Sequence, residues 1–369
     1  MIQVAHRQDL VGLPPEVAEA RLREHFAGRG QPAYRARQVL SWLYERLATS
    51  PDEMSDLPLP ERDALREAFD LTVLETARVS RSVDGTAKHL WRLADGELIE
   101  SVLIPSRDRL TLCISSQAGC AMACTFCATG WMGYERQLTT GEIVAQYRQA
   151  RLWAGENGYG AITNIVFMGM GEPLMNPKAV FPTLEVLNRG YGVGARRITI
   201  STVGVVPGIE RLAEMPEQYR LALSLHAPDP ELREKLIPLE RKYPLPRLLS
   251  ALRRFDEAGG KRITFEYVMI DGVNDSPELA DRLAELVGEF KAFVNLIPFN
   301  PIPASDWRPT PPDRLEAFAR RLERAGVSVH VRTPRGRDIA AACGQLKAEA
   351  TEGRLVRIGG SKRRDRADS

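Results

Sequence analysis

The sequence lacks long apolar segments. No run of 18 apolar residues occurs in its 369 positions, and the first residues, Met1 to Arg7, are not followed by the apolar stretch of a secretory signal peptide. We therefore expect a cytoplasmic protein that makes no contact with a membrane.

The chain also lacks an excess of either charge. Its 50 Lys and Arg residues nearly balance 48 Asp and Glu residues, which gives a formal net charge of +2. Any surface that binds nucleic acid must therefore be local.

Cysteine is scarce as well, because the whole chain has five. An odd, small number of thiols in a chain without an export signal indicates metal or redox chemistry rather than a disulfide framework.

Three of the five cysteines lie close together. Cys120, Cys124 and Cys127 follow a CxxxCxxC spacing in one short run. Three thiolates on such a loop can bind three corners of a 4Fe-4S cluster and leave the fourth iron open to another ligand. A structural zinc site is the alternative, but it normally has four Cys or His ligands, and no His lies near this loop in the sequence. The spacing therefore favours an open cluster, which can bind and cleave a small molecule.

The N-terminal part of the chain is predicted to form a helical accessory domain over residues 1–70. Apolar residues between Ala33 and Leu47 recur with a helical period, and Arg35, Arg37 and Arg46 lie on the outer face of that helix. These arginines indicate either a solvated face or a small RNA-contacting surface, and the pattern leaves both open.

Residues 71–109 are predicted to form a small antiparallel strand extension. Asp84-Gly85 and Asp95-Gly96 are hairpin signals between three strands. Glu100 lies in the third strand, among residues that are apolar on both faces. This carboxylate is either neutralised by a buried partner or kept for proton transfer, since burial moves a carboxyl group toward the pKa range useful for that task.

From residue 110 to about 350, strands alternate with helices, which predicts a parallel sheet in a full or partial (β/α) barrel. The predicted strands are Leu110–Ser115, Ala161–Met168, Arg197–Thr202, Tyr219–Leu225, Arg262–Ile270, Phe293–Ile297 and Val327–Arg332. Helix starts are indicated by the capping box Thr139-x-x-Glu142 and by prolines at 177, 228, 277 and 311. The basic tail at 351–369 is predicted to be flexible, with a phosphate-contacting arm as the alternative.

Unusual local sequences follow the predicted strands, at the end where a parallel barrel carries its reactive residues. They are the cysteine loop, Gly169–Pro173, Ser201–Gly204, Ser224–His226 and Pro298–Pro301. Singly, each is compatible with an ordinary turn or hydrogen-bonding role. Around an open iron, they predict a small-molecule pocket in which Glu172 meets an ammonium group. The side chains for hydroxyl and amide groups are Ser201, Ser224 and Asn300.

Two cysteines lie outside the loop. Cys113 is in the predicted strand before it, and Cys343 lies far along the chain in the run Ala340–Leu346. Inert burial is the ordinary interpretation of a lone cysteine. If the last βα passage returns Cys343 over the barrel mouth, the two thiols would instead form a nucleophile and its resolving partner.

These residues resemble the signature of the radical S-adenosylmethionine superfamily, CxxxCxΦC, which is matched by Cys120, Cys124, Phe126 and Cys127. More closely, the chain resembles the RlmN-type adenine methyltransferases over nearly its whole length, including the strand with Glu100 and the run with Cys343. The resemblance implies an α/β enzyme with a barrel of the radical-SAM type, an N-terminal helical appendage and an antiparallel extension.

The resemblance also implies a role for each site residue. Cys120, Cys124 and Cys127 would hold a 4Fe-4S cluster. The residues that would bind S-adenosylmethionine are Gly171, Glu172, Ser201, Ser224, Leu225, His226 and Asn300. Cys343 would carry a methyl group, Cys113 would resolve the product, and Glu100 would accept a proton.

The implied reaction uses two S-adenosylmethionine molecules per turnover. One methylates Cys343, and the other yields a 5′-deoxyadenosyl radical that activates this methyl group for addition to carbon 2 of adenine. The transient protein–RNA crosslink is then resolved by Cys113, which leaves a Cys113–Cys343 disulfide. The implied substrates are 23S rRNA, protein-free or partly assembled, and the transfer RNA adenosine 3′ of the anticodon. The implied electron donor is a protein such as flavodoxin or ferredoxin.

Three other functions remain open at this point. A relative of the same family that methylates carbon 8 of adenine, and confers antibiotic resistance, carries the same five cysteines. An electron-transfer protein would carry a cluster without consuming S-adenosylmethionine, and an RNA-binding protein would use a structural metal.

Overall fold

The computed structural model describes residues 7–259, 262–303 and 305–346. The predicted basic tail at 351–369 lies outside these residues. Within the described ranges, no helix is long and apolar enough to cross a membrane.

The N-terminal residues form the predicted helical appendage. Its elements are β1 (Gln8–Asp9), α1 (Pro15–Gly28), α2 (Tyr34–Tyr44), α3 (Leu59–Ala68) and β2 (Phe69–Asp70). The helices share an apolar core that includes Leu22, Phe26, Val39 and Leu65. The two short strands pair in parallel, so the two ends of the appendage meet.

The predicted antiparallel extension follows. Its strands are β3 (Glu75–Arg81), β4 (Ala87–Arg92) and β5 (Leu98–Ser106), and β5 pairs antiparallel with β6 (Arg109–Cys113). The turns between the first three strands contain Gly85 and Gly96, whose φ angles of 84° and 92° are in the left-handed region that glycine adopts readily. The Asp-Gly hairpin signals are therefore confirmed.

Strands and helices alternate over the rest of the described chain. The elements after β6 are β7 (Gln117–Gly119), α4 (Ala128–Met132), β8 (Tyr134–Gln137), α5 (Thr140–Glu156), β9 (Asn164–Phe167), α6 (Pro177–Glu185), β10 (Ile198–Thr202), α7 (Val206–Glu214), β11 (Arg220–Ser224), α8 (Pro230–Leu236), α9 (Leu245–Glu257), β12 (Ile263–Met269), α10 (Pro277–Gly288), β13 (Ala292–Pro298), α11 (Pro312–Arg324) and β14 (Ser328–Val331).

One ten-stranded sheet organises these elements, in the order β14-β13-β12-β11-β10-β9-β6-β5-β4-β3. Within this sheet, the seven neighbouring strands β6, β9, β10, β11, β12, β13 and β14 are parallel to one another. The strands at the two edges of the sheet, β3 and β14, do not pair with each other in the described part of the chain. The predicted α/β fold with a parallel sheet is confirmed, and no closure of the sheet into a full barrel is seen among the described residues.

The sheet is buried as a parallel sheet requires. All seven residues of β12 are buried, and α11 places Leu315, Phe318 and Leu322 against the core. Since parallel strands point the same way, the segments that follow β6, β9, β10, β11 and β13 emerge at one edge of the sheet. This edge carries the site described below.

The helix starts were predicted with mixed success. Thr139 and Glu142 form the predicted capping box, and Pro177 and Pro277 begin α6 and α10. The prediction at Pro228 was wrong, because α8 begins at Pro230. Asp229 caps it by accepting a hydrogen bond from the Leu232 N–H, so the capping side chain fixes the start. At the predicted Pro311, the helix begins one residue later.

Candidate active site

A pocket lies at the carboxyl ends of the parallel strands. The predicted site residues in its lining are Cys120, Cys124, Cys127, Gly171, Glu172, Ser201, Ser224, His226, Asn300 and Cys343. These residues come from six separate segments of the chain. The structure therefore brings together most of the residues that were predicted from separate strand ends.

The cysteine loop is closed by the hairpin of β7 and β8. Gly119 ends β7 with a φ of 76°, and a Cβ atom there would lie 2.2 Å from the carbonyl oxygen of Gly133. The Cys120 N–H donates a hydrogen bond to that same oxygen at 2.7 Å. Glycine at 119 therefore permits the close backbone approach that closes the loop.

The segment with Cys343 lies over this loop. The Ala128 N–H donates to the carbonyl oxygen of Gly344 at 2.7 Å, and the Thr129 hydroxyl donates to that of Leu346 at 2.7 Å. Asn300 Nδ2 donates to the carbonyl oxygen of Cys343 at 3.1 Å. Cys343 is exposed and faces the pocket. The predicted return of this residue to the barrel mouth matches its position.

Deprotonation of the three loop thiols is unfavourable in the absence of a bound cation. Burial raises the pKa of Cys120 to about 12, and burial also raises the pKa of Cys124 and Cys127. Cys127 raises the pKa of both of the other two, because like charges repel. A buried set of thiolates is stable only beside a positive centre, which a bound metal group supplies.

The arrangement of the thiols also bears on the kind of metal group. Among the described residues, no three His, Cys, Asp or Glu side chains converge on a single metal ion. A 4Fe-4S cluster binds each thiolate through a different iron, so its ligands need not converge on one point. Three thiols around one pocket therefore fit a cluster with three protein ligands.

Glu172 lies in the pocket with its carboxylate already hydrogen-bonded. One oxygen accepts from the Leu174 N–H at 3.0 Å and the other from the Val203 N–H at 2.9 Å. Burial raises the pKa of Glu172 to about 7. The carboxylate thus ties two strand ends together, and each oxygen keeps a lone pair for a further donor such as an ammonium group.

Gly171, just before Glu172, has a φ of 98°, and a Cβ atom there would lie 2.5 Å from the Cβ of Gln117. The Gln117 side chain accepts a hydrogen bond from the Glu172 N–H at 2.7 Å. The tight turn after β9 therefore requires glycine and leaves its backbone at the pocket wall.

Ser201 and Ser224 line the pocket from β10 and β11, and His226 follows β11 with a φ of 59°. His226 Nδ1 accepts a hydrogen bond from the Val268 N–H at 3.0 Å, and burial lowers its pKa to about 3. It is therefore a neutral, hydrogen-bonded residue that packs edge-on against Phe126. Leu225 differs from its neighbours, because its side chain lies in the hydrophobic core rather than in the pocket lining.

Cys113 is buried at the end of β6 and is not part of the pocket lining. Burial, and to a lesser extent the neighbouring Cys343 thiol, raise its pKa to about 12. Both residues are free thiols in this structure. The two thiols predicted to react with each other are therefore close enough to interact electrostatically.

Glu100 is fully buried in β5 and has the buried partner that the sequence left as one of two alternatives. Lys88 Nζ, in β4, lies 2.9 Å from Glu100 Oε1. The pair lies on the same face of the sheet as Cys113, since Val102 in β5 is the register partner of both Lys88 and Cys113.

Sequence reasoning missed three charged residues around the site. Lys88 could be recognised only through its register with β5. Arg332 and Glu266 line the pocket and lie 3.7 Å apart, and the pKa of Arg332 is raised chiefly by Cys343. One signal was available for Arg332, because it ends the last predicted strand, as the other site residues end theirs.

Two family models match the chain. Residues 114–284 match the Radical SAM superfamily, and residues 13–71 match the ribosomal RNA large subunit methyltransferase N-terminal domain. The first match covers the cysteine loop and strands β7–β12, and the second covers the three helices of the appendage.

Curated relatives match nearly the whole chain. A protein of Gemmatimonas aurantiaca named "Probable dual-specificity RNA methyltransferase RlmN" is 52% identical over 94% of this chain and 95% of its own length. A protein of Anaeromyxobacter dehalogenans named "Dual-specificity RNA methyltransferase RlmN" is 48% identical over 94% of this chain and 93% of its own. Among solved structures, a radical SAM methyltransferase from Sphaerobacter thermophilus is 47% identical, with a TM-score of 0.88 over 93% of this chain and 100% of that one.

Proposed function

Because the chain belongs to the RlmN family of dual-specificity RNA methyltransferases, within the radical S-adenosylmethionine superfamily, we propose that it methylates carbon 2 of adenosine in RNA. The proposed substrates are 23S rRNA in a protein-free or partly assembled state and the transfer RNA adenosine 3′ of the anticodon. The observation that carries the proposal is the placement of Cys343 over the three-cysteine loop in one pocket.

The proposed cofactors are a 4Fe-4S cluster and two molecules of S-adenosylmethionine per turnover. Cys120, Cys124 and Cys127 would hold the cluster, which when bound supplies an open iron and the electron that cleaves S-adenosylmethionine. We propose flavodoxin or ferredoxin as the electron donor. The proposed cofactor contacts are Gly171, Glu172, Ser201, Ser224, Leu225, His226 and Asn300, with the backbone of Leu225 as its contact because its side chain lies in the core.

We propose that Cys343 carries the methyl group and that Cys113 resolves the crosslink. Carbon 2 of adenine lies between two electron-withdrawing ring nitrogens and is a poor nucleophile, whereas a thiolate attacks a methyl sulfonium readily. The exposure of Cys343 suits a residue that meets both cofactor and RNA, and the burial of Cys113 suits a thiol that acts only on its neighbour. Attack of Cys113 on the Cys343 sulfur would leave a disulfide for reduction.

Glu100 is the proposed acceptor of the proton that leaves the adenine ring. Its carboxylate lies 2.9 Å from the ammonium of Lys88, and its strand, β5, is adjacent to β6, which carries Cys113. The four-part division of the chain, at 1–70, 71–109, 110–350 and 351–369, is also a proposal, with the first part as an RNA-contacting domain. We further propose a cytoplasmic location, where such RNA substrates occur.

The test is anaerobic reconstitution with iron and sulfide, followed by reaction with S-adenosylmethionine, a strong one-electron reductant, and naked 23S rRNA or transfer RNA. We expect 5′-deoxyadenosine and 2-methyladenosine, both measured by mass spectrometry of the digested products. An 8-methyladenosine product would refute the carbon-2 assignment. Absence of 5′-deoxyadenosine under these conditions would refute the enzyme class.

A further inference from the structure

The buried ammonium of Lys88 contacts both strand β5 and the segment that carries Cys343. Lys88 is 3% exposed and Glu100 is 0% exposed, and Nζ of the first lies 2.9 Å from Oε1 of the second. In the register of β4 and β5, Lys88 is opposite Val102, and Glu100 is the next residue on the same face. Diagonal neighbours of this kind are within reach of a long side chain.

The same ammonium makes a second contact. Lys88 Nζ donates a hydrogen bond at 3.2 Å to the carbonyl oxygen of Ala340, three residues before Cys343. Ala340 has a φ of 49°, so its backbone is held in the left-handed region. One cation therefore joins the proposed proton acceptor to the segment that carries the proposed methyl carrier.

Contacts at the rim hold this segment to the same hairpin. The Ser82 hydroxyl donates to Asp338 at 2.6 Å, and the Gly336 N–H donates to Asp84 at 3.0 Å. Ser82 and Asp84 lie in the turn between β3 and β4, whereas Gly336 and Asp338 belong to the segment that leads to Cys343. Lys88 adds a buried connection to these contacts, and its ammonium also contacts Glu100.

A buried carboxylate requires such a partner to remain charged. Removal from water disfavours the anion, and an isolated buried carboxyl group is protonated instead. A protonated carboxylic acid cannot accept a proton from carbon. The ammonium of Lys88 offsets this penalty, and the Ala340 carbonyl satisfies one of its remaining N–H groups.

We propose that Lys88 is a positioning residue of the reaction, which keeps Glu100 anionic and aligns it with Cys343 through Ala340. This inference rests on the proposed function, in which Glu100 accepts the proton of the adenine ring. In that step the carbon–hydrogen bond breaks, its electron pair stays in the ring, and an oxygen–hydrogen bond forms on Glu100. Lys88 does not touch the RNA and acts through Glu100.

The test compares Lys88→Met, Glu100→Gln and the double variant, each reconstituted and supplied with transfer RNA. We expect Lys88→Met to accumulate the protein–RNA crosslink on a denaturing gel and to release methylated RNA about 100-fold more slowly, the usual contribution of a general base. Glu100→Gln should behave alike, and adding Lys88→Met to it should cause no further loss. Lys291→Met, an exposed lysine at the opposite end of the sheet, is the matched control.

Release of methylated RNA at the wild-type rate by Lys88→Met would overturn the inference. The inference would also be overturned if Lys88→Met slowed RNA release by the same factor in the Glu100→Gln background as in the wild type. Lys88 would then act independently of Glu100. If Lys88→Met fails to fold, the comparison of Glu100→Gln with the double variant decides alone, since the double variant leaves no charge unpaired. A wild-type enzyme that forms no methyladenosine would instead refute the proposed function itself.

Discussion

Gly119 offers a sharp test of how the cysteine loop is built. In Gly119→Ala, the new Cβ would meet the Gly133 carbonyl oxygen at 2.2 Å, so the backbones of β7 and β8 must separate. The left-handed φ costs an L-residue roughly 1 kcal/mol or more, and loss of the Cys120 hydrogen bond to Gly133 costs about 1 kcal/mol. We expect a loss of about 2–3 kcal/mol in the free energy of unfolding. The displacement of Cys120 should also lower the amount of iron bound.

A matched control exists in the same chain. Gly158 has the same φ of 76°, but a Cβ there would have no heavy atom within 4 Å. Gly158→Ala should therefore lose only the conformational contribution of roughly 1 kcal/mol. The assays are denaturant unfolding, and iron and sulfide per chain after anaerobic reconstitution. If Gly119→Ala and Gly158→Ala bind equal iron and lose equal stability, the close approach of β7 and β8 does not hold the loop.

Three further predictions concern the thiols and a buried histidine. Cys113→Ala should leave RNA covalently attached at Cys343 on a denaturing gel, and normal turnover would remove Cys113 from the mechanism. Cys343→Ala should abolish RNA methylation but still form 5′-deoxyadenosine, and residual methyl transfer would contradict the carrier role. Burial lowers the pKa of His89 to about 4, from an ordinary 6.5, so the unfolded chain binds this proton more tightly. Native stability should fall by up to about 3 kcal/mol between pH 6.5 and pH 4, relative to His89→Phe, and equal pH profiles in urea unfolding would contradict this.

Local patterns explain why so much of the pocket could be predicted. The thiol spacing lies within one loop, and the polar residues after β9, β10, β11 and β13 share an edge because parallel strands share a direction. Cys343 could be placed because a chain of alternating strands and helices returns to that edge. Resemblance to a known family supplied its role.

Contacts that depend on register could not be predicted. Lys88 reaches Glu100 only because β4 pairs with β5 in one particular alignment, and it reaches Ala340 only because a segment 252 residues away folds over that face. Sequence reasoning could state that Glu100 needs a buried partner or has a role in proton transfer, and the structure shows the partner, Lys88.

Two carboxylates, those of Glu172 and of Asp229 at the start of α8, accept hydrogen bonds from backbone N–H groups. Glu172 was predicted to meet an ammonium group, and the structure shows that each of its oxygens also accepts a hydrogen bond from a backbone N–H. Pro228 was predicted to open a helix, yet α8 begins at Pro230, and Asp229 caps it by accepting a hydrogen bond from the Leu232 N–H. In both cases the carboxylate accepts hydrogen bonds from backbone N–H groups that the sequence pattern did not identify.

The central claim is that the methyl group reaches RNA by way of Cys343. The most direct measurement loads the enzyme with deuterated methyl from labelled S-adenosylmethionine, removes the excess, and starts one turnover with unlabelled cofactor and RNA. This account predicts deuterium in the first 2-methyladenosine formed and on the Cys343 peptide before RNA is added. An unlabelled first product, with an unmodified Cys343, would contradict it.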